Sequence, residues 1–125
     1  MTTFDERSAH TVYEKDEAYS VEIADEVVAV IAGLAATEAE GVASLAGGIT
    51  HDVIGRLDAK NLSKAVRVEM KETDVTVDTA VTLEPGAGIP ETAEKVQEKV
   101  RDAIENMTGM RVEQVNVRIA GVRFQ

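Results

Sequence analysis

Ala65-Val66-Arg67-Val68-Glu69-Met70-Lys71, then Glu72-Thr73, then Asp74-Val75-Thr76-Val77-Asp78-Thr79-Ala80-Val81-Thr82-Leu83, is the stretch on which the fold turns. Val66, Val68 and Met70 alternate with Arg67, Glu69 and Lys71. Val75, Val77, Val81 and Leu83 share one parity, with Thr76, Asp78 and Thr82 on the other. Successive strand side chains point to opposite faces, so this alternation predicts two strands with one buried and one wetter face each. The short Glu72-Thr73 connection makes them an antiparallel hairpin. The wetter face carries mixed charges and Thr, as expected of solvent or a polar partner.

Downstream, Pro85-Gly86-Ala87-Gly88 breaks the second strand, and Pro90 opens a helix where its missing N–H costs nothing. The expected helix runs to about Met107, with Ala93, Val96, Val100, Ala103, Ile104 and Met107 as its apolar face. Glu91 with Lys95 and Glu98 with Arg101 are spaced for ion pairs on the outer face. Gly109 ends the helix. Val115, Val117 and Ile119 then alternate with Gln114, Asn116 and Arg118 in a last strand. Val112 has the wrong parity for that strand, which predicts a bulge or a late strand start.

Upstream, Asp25 to Ala39 reads as a helix with the apolar stripe Val27, Ile31, Leu34 and Ala35. Asp25 and Glu26 lie in its first turn, where carboxylates complement the helix dipole. Ala24, Val28, Ala32 and Ala36 form a second row of small residues, and Ala29 and Gly33 another small pair. A glycine in a helix interior costs ~1 kcal/mol relative to alanine, so something packs closely at Gly33. That partner is either the protein's own sheet or a helix of another subunit. On the second reading Ala29, Gly33 and Ala36 form a self-association face. Val42–Leu45 reads as a short strand, Ile49, Val53, Ile54 and Leu57 as a short helix with Thr50 as its cap, and Asp58–Ser63 as a polar connection.

The predicted fold class is therefore α+β: a small mixed sheet of three to four strands, two main helices on one face, and a short helix before the hairpin. A right-handed crossover makes the last strand parallel to the second hairpin strand, with the first hairpin strand expected between them. Residues 21–125 are expected to form one domain, preceded by an acidic flexible tail, Met1–Ser20, with almost no apolar periodicity.

The chain carries 13 Lys+Arg and 23 Asp+Glu, a formal net charge of −10. Ten acidic and two basic residues fall within Met1–Glu40, which holds −8 of it; the rest is nearly balanced. Such acidity opposes sequence-independent nucleic-acid binding and direct contact with an anionic membrane. Two Phe, two Tyr and no Trp leave few rings for stacking bases. The absence of cysteine excludes disulfides, thiolate catalysis and Cys-ligated metals, and suits a reducing cytoplasm. The start lacks the apolar core of a secretory signal, and the longest uncharged run, Val27–Thr37, is too short to span a bilayer.

Chemistry-bearing motifs are sparse. His10 lies in the tail, and His51 is followed by Asp52 with no second ligand motif. Gly86-Ala87-Gly88 fits neither a P-loop nor a dinucleotide fingerprint; Glu84 and Glu91 would repel phosphate there, so the loop reads as turn punctuation. No catalytic, cofactor-binding or metal-ligating residue is assigned, and no cofactor. Arg56, Lys60, Lys64 and Arg67 form the strongest basic patch, with only Asp58 among them. It is either solvated surface or a contact for the acidic part of a neighbouring subunit.

Several stretches together resemble the alkaline shock protein family of Gram-positive bacteria. They are Val21-Glu22-Ile23-Ala24-Asp25-Glu26-Val27-Val28 with Ile31-Ala32-Gly33-Leu34-Ala35-Ala36, Glu40-Gly41-Val42-Ala43 and the following Gly-Gly pair, and Asn61-Leu62-Ser63-Lys64-Ala65-Val66-Arg67-Val68. Ile89-Pro90-Glu91, Glu105-Asn106-Met107-Thr108-Gly109-Met110 and Val115-Asn116-Val117 follow. At Ala65 the family often has Gly. The resemblance covers about Val21 to Val122, leaving the acidic tail outside. It implies a non-enzymatic cytoplasmic protein of cell-envelope homeostasis and alkaline or general stress. It also implies a homo-oligomer, held near the membrane by a small membrane-anchored partner. No family site residues carry over. Two other readings stand beside it: a small-molecule or metal-handling enzyme with a pocket near His51 and the Gly86–Gly88 loop, and an RNA-binding module.

Overall fold

The computed structural model describes residues 9–16 and 19–123. Strand β5 (Asp74–Leu83) organises the sheet. On one edge it pairs antiparallel with β4 (Val66–Lys71) through its first half and with β3 (Val42–Leu45) through its last residues. On the other edge it runs parallel to β6 (Arg111–Val122) along its whole length. The expected position of the first hairpin strand, between β5 and the last strand, is thus corrected. The β5–β6 connection is long enough to return directly alongside β5, and the two-residue turn fixes β4 on the opposite edge. The Lys71↔Asp74 pair closes that turn, where Glu72 adopts a left-handed φ of 51°.

The parity reading of the sheet holds. Val75, Val77, Thr79, Val81 and Leu83 are buried, as are Val66 and Met70 on β4 and Val112 and Val115 on β6. The parity fault at Val112 is a register shift: Val75 pairs with Val112, but Thr76 pairs with Gln114. The extra residue, Glu113, lets both Val112 and Val115 face the core.

Helices α1 (Asp25–Glu38) and α3 (Ile89–Thr108) pack against each other over this face. The buried surface of α1 differs from the expected stripe. Val27 is 50% exposed, and the core is met by Val28, Ile31, Ala32, Gly33, Ala35 and Ala36. The row of small residues is the packing face, because α1 must approach both α3 and the sheet closely. On α3 the buried row is Thr92, Val96, Val100, Ile104 and Thr108, while Met107 is 70% exposed. Thr108 tolerates burial because its hydroxyl donates to the Ile104 carbonyl at 2.6 Å and accepts from Met110 N–H at 3.1 Å. Gly109 ends the helix at φ 74°, in the left-handed region that glycine adopts without strain.

Between β3 and β4, His51–Arg56 forms a 3-10 helix that buries Ile54. Thr50 precedes it, but its hydroxyl bonds the Asp52 carboxylate at 2.6 Å instead of capping a backbone N–H. The stretch expected as a polar connection contains a one-turn helix, α2 (Ala59–Leu62). Asp58 caps it by accepting from Asn61 N–H at 2.8 Å, and Leu62 is buried.

Within the stretch expected as a flexible tail, the backbone forms paired strands. β1 (Ala9–Asp16) and β2 (Tyr19–Ala24) form a separate antiparallel ribbon, and β2 leads directly into α1. Met1–Ser8, Glu17 and Ala18, the rest of that expected tail apart from the ribbon, lie outside the described residues.

Candidate interaction surfaces

Gly33 and Ala36 do not form the expected self-association face. Ala36 is fully buried, and a Cβ on Gly33 would meet Leu45 Cδ1 at 3.4 Å and Ile54 Cγ2 at 3.5 Å. The small residues of α1 therefore accommodate this chain's own β3 and 3-10 helix. Ala29 is the exception. It is half-buried and lines a groove of about 500 Å³ with Val30, Leu57, Leu62, Val66 and Val68. Asp25, Glu26, Arg67, Glu69 and Asp78 also line it. This groove runs between the N-terminal half of α1, α2 and strand β4.

The expected basic patch is divided. Lys64 and Arg67 line a second depression of about 440 Å³ on the open face of the sheet, joined by Arg118 of β6. Arg56 sits at the end of the 3-10 helix and donates to the Asp52 carbonyl at 3.3 Å; Lys60 is exposed on α2. Neither lines that depression. Arg118 was not singled out from sequence, since only the parallel pairing of β5 with β6 brings it beside residues some fifty positions earlier. The depression is not purely cationic. Asp78 lies across from Arg67 in the β4–β5 register and accepts from Asn116 Nδ2 at 2.8 Å. Gln114 in turn donates to Asn116 Oδ1 at 2.6 Å, so a hydrogen-bonded chain of three side chains runs over the open face from β6 to β5.

His51 contacts Glu38 Oε2 through Nε2 at 3.1 Å, with both side chains about half exposed. An exposed pair of this kind contributes little to stability. Neither His51 nor the Gly86–Gly88 loop lines the grooves described above. Among the described residues no group of three or more His, Asp or Glu side chains converges to hold a metal ion. The Gly86–Gly88 loop serves the backbone: Gly86 has φ 86°, and Gly88 precedes α3 with the Glu91 carboxylate folded back over it. Lys95, expected opposite Glu91, instead approaches Glu40 at 3.8 Å, linking α3 to the end of α1. Asp52 has a lowered pKa. The Thr50 hydroxyl, then a backbone hydrogen bond, hold its carboxyl below the usual aspartate value, and Arg56 adds a smaller effect. No described helix is long and apolar enough to cross a membrane.

Comparison with known proteins gives a consistent lineage. The chain is 38% identical over 104 residues to the uncharacterized protein YqhY of Bacillus subtilis (strain 168), covering 83% of this chain and 77% of that one. It is 30% identical over 105 residues to the uncharacterized protein YloU of the same organism, covering 82% and 88%. It is 29% identical over 105 residues to the uncharacterized protein Spy1614 of Streptococcus pyogenes serotype M6, covering 82% and 87%. Among solved structures, a MamM CTD variant overlaps 77% of this chain and 93% of its own, with 20% identity and a TM-score of 0.48. The family model matches residues 13–124, so the match begins inside the stretch that the sequence resemblance left out. With nearly the whole described chain matched, this protein belongs to the alkaline shock protein 23 family, which carries a cell envelope-related function.

Proposed function

We propose that this chain is a non-enzymatic interaction protein of the cell-envelope stress response, working as a homo-oligomer at the cytoplasmic face of the membrane. It would be held there by a membrane-anchored partner. The observation that carries the reading is the family match across residues 13–124, with its cell envelope-related function. The geometry supports it in kind. The described residues offer two grooves and a polar sheet face, surfaces suited to contact with another protein. No described helix is long and apolar enough to span a bilayer.

The test is fractionation of native cells carrying a tagged chain, with membranes washed in salt and then extracted with detergent, beside sedimentation velocity of the purified protein. The expected result is recovery with membranes, release together with a membrane protein on detergent extraction, and a mass above the monomer. A chain that stays out of the membrane fraction and sediments as a monomer at all concentrations would overturn the proposal.

A further inference from the structure

Strand β4 has one edge in the sheet and one edge outside it. Its inner edge pairs with β5, and among the described residues no strand pairs with the outer edge. The direction of each backbone group follows from one bond. Ala80 N–H donates to the Ala65 carbonyl at 2.8 Å, so Ala65 and Ala80 are a hydrogen-bonded pair. Such pairs alternate in an antiparallel ladder. Arg67, Glu69 and Lys71 therefore bond to β5, and the backbone N–H and C=O groups of Val66, Val68 and Met70 point outward. An edge of this kind is a template for a further strand.

The side chains of this edge are self-complementary. Arg67, Glu69 and Lys71 are exposed on the open face of the sheet, and Val66, Val68 and Met70 lie on the apolar face. The geometry points to β4 as a two-fold interface, on which β4 of a second copy pairs antiparallel with its centre at Val68. This deepens the self-association reading proposed above and rests on it.

In that register Val68 meets its symmetry mate and Val66 meets Met70, so the outward backbone groups exchange hydrogen bonds. Arg67 of each copy stands directly across from Glu69 of the other. These are the non-hydrogen-bonded positions, where side chains come closest. Neighbouring registers are worse. Centring on Arg67 places Arg67 against itself. Centring on Glu69 places Glu69 against itself and Arg67 against Lys71. Centring on Met70 runs Val68 and Arg67 into the Glu72-Thr73 turn, where Glu72 already has left-handed backbone. The charge pattern thus selects a second copy of this strand, in one register. The groove of about 500 Å³ lies along the same edge, and its Ala29, Val30 and Leu57 would meet the partner's groove across the two-fold axis. That contact adds apolar area to an interface that a strand pair alone would leave small.

The experiment is sedimentation velocity of the full chain across a range of concentrations, with far-UV circular dichroism as the folding control. Arg67→Glu alone and Glu69→Arg alone each put like charges across the axis twice. Each is expected to weaken the dimer by about tenfold or more. A one-to-one mixture of the two variants is expected to recover association, because the acidic variant then faces the basic one and both cross-axis pairs are again of opposite sign. The double variant R67E/E69R should dimerise like the unmodified chain. Val68→Pro removes an outward N–H that β5 does not use, and is expected to abolish pairing while leaving the fold. If the unmodified chain self-associates and neither charge variant changes its mass, the β4 interface is wrong and self-association survives. If the unmodified chain is monomeric throughout, both fall.

Discussion

Replacing Gly33 separates a packing role from an assembly role. Gly33 lies in the interior of α1, where glycine costs ~1 kcal/mol relative to alanine through its greater freedom in the unfolded chain. An alanine Cβ at this position would sit 3.4 Å from Leu45 Cδ1 and 3.5 and 3.6 Å from Ile54 Cγ2 and Cδ1. These are ordinary van der Waals distances, so the methyl group fits without moving its neighbours. G33A is expected to stabilise the fold by about 1 kcal/mol, raising the midpoint of thermal unfolding by about 4 °C for a domain of this size. Leucine adds three further carbons to a space whose first carbon already touches two side chains. G33L is therefore expected to destabilise by about 1–3 kcal/mol through overpacking. Chemical and thermal unfolding followed by circular dichroism read both values, and sedimentation gives the oligomeric state. An alanine variant less stable than the unmodified chain would refute the geometry. So would a leucine variant of unchanged stability, and a loss of oligomer in it would then return Gly33 to the surface.

Three further outcomes follow from the structure. Gly41 has φ 97°, and an added Cβ would stand 2.8 Å from Thr92 Oγ1 and 3.3 Å from Ala87 Cβ. Gly41→Ala should cost about 1–3 kcal/mol in denaturant unfolding, and an unchanged midpoint would contradict the tight turn from α1 into β3. Thr79 is 2% exposed, and its hydroxyl has no hydrogen-bond partner among the described residues. Thr79→Val keeps the shape and is expected to stabilise by roughly 1 kcal/mol; a destabilised variant would reveal a partner for that hydroxyl. Thr50→Ala removes the first cause of the lowered Asp52 pKa, which should rise toward the ordinary aspartate value in an NMR titration. Because the folded pKa is depressed, this contact favours the fold above the unfolded aspartate pKa and is lost as pH falls through the folded one. An Asp52 titration indifferent to Thr50 would remove the proposed cause.

Much of the fold was legible because it rests on short-range rules. Parity in Val66–Lys71 and Asp74–Leu83, separated by two residues, leaves only a hairpin with its apolar face on one side. The parity of Val112 left a bulge or a late strand start open, and the structure takes the bulge, whose extra residue lets Val112 and Val115 both be buried. Pro90 and Gly109 marked the ends of α3 to within a residue or so, through their backbone constraints alone. The order and spacing of weak motifs also pointed to the family, which the match over residues 13–124 establishes.

What the sequence could not fix was which face of a helix meets which neighbour. Every face of α1 is rich in alanine, valine or glycine, so periodicity could not choose between Val27 and Val28. Close approach of α3, β3 and Ile54 chose Val28 and sealed Gly33 and Ala36 inside. Arg118 joined Lys64 and Arg67 only when β6 returned beside β5, while Arg56 and Lys60 sit on the 3-10 helix and on α2, outside that depression. Strand order had the same origin. The sequence determined the strands, but only the long pairing of β5 with β6 placed β4 at an edge, with its outward backbone groups turned away from the rest of the sheet and its alternating charges on the open face.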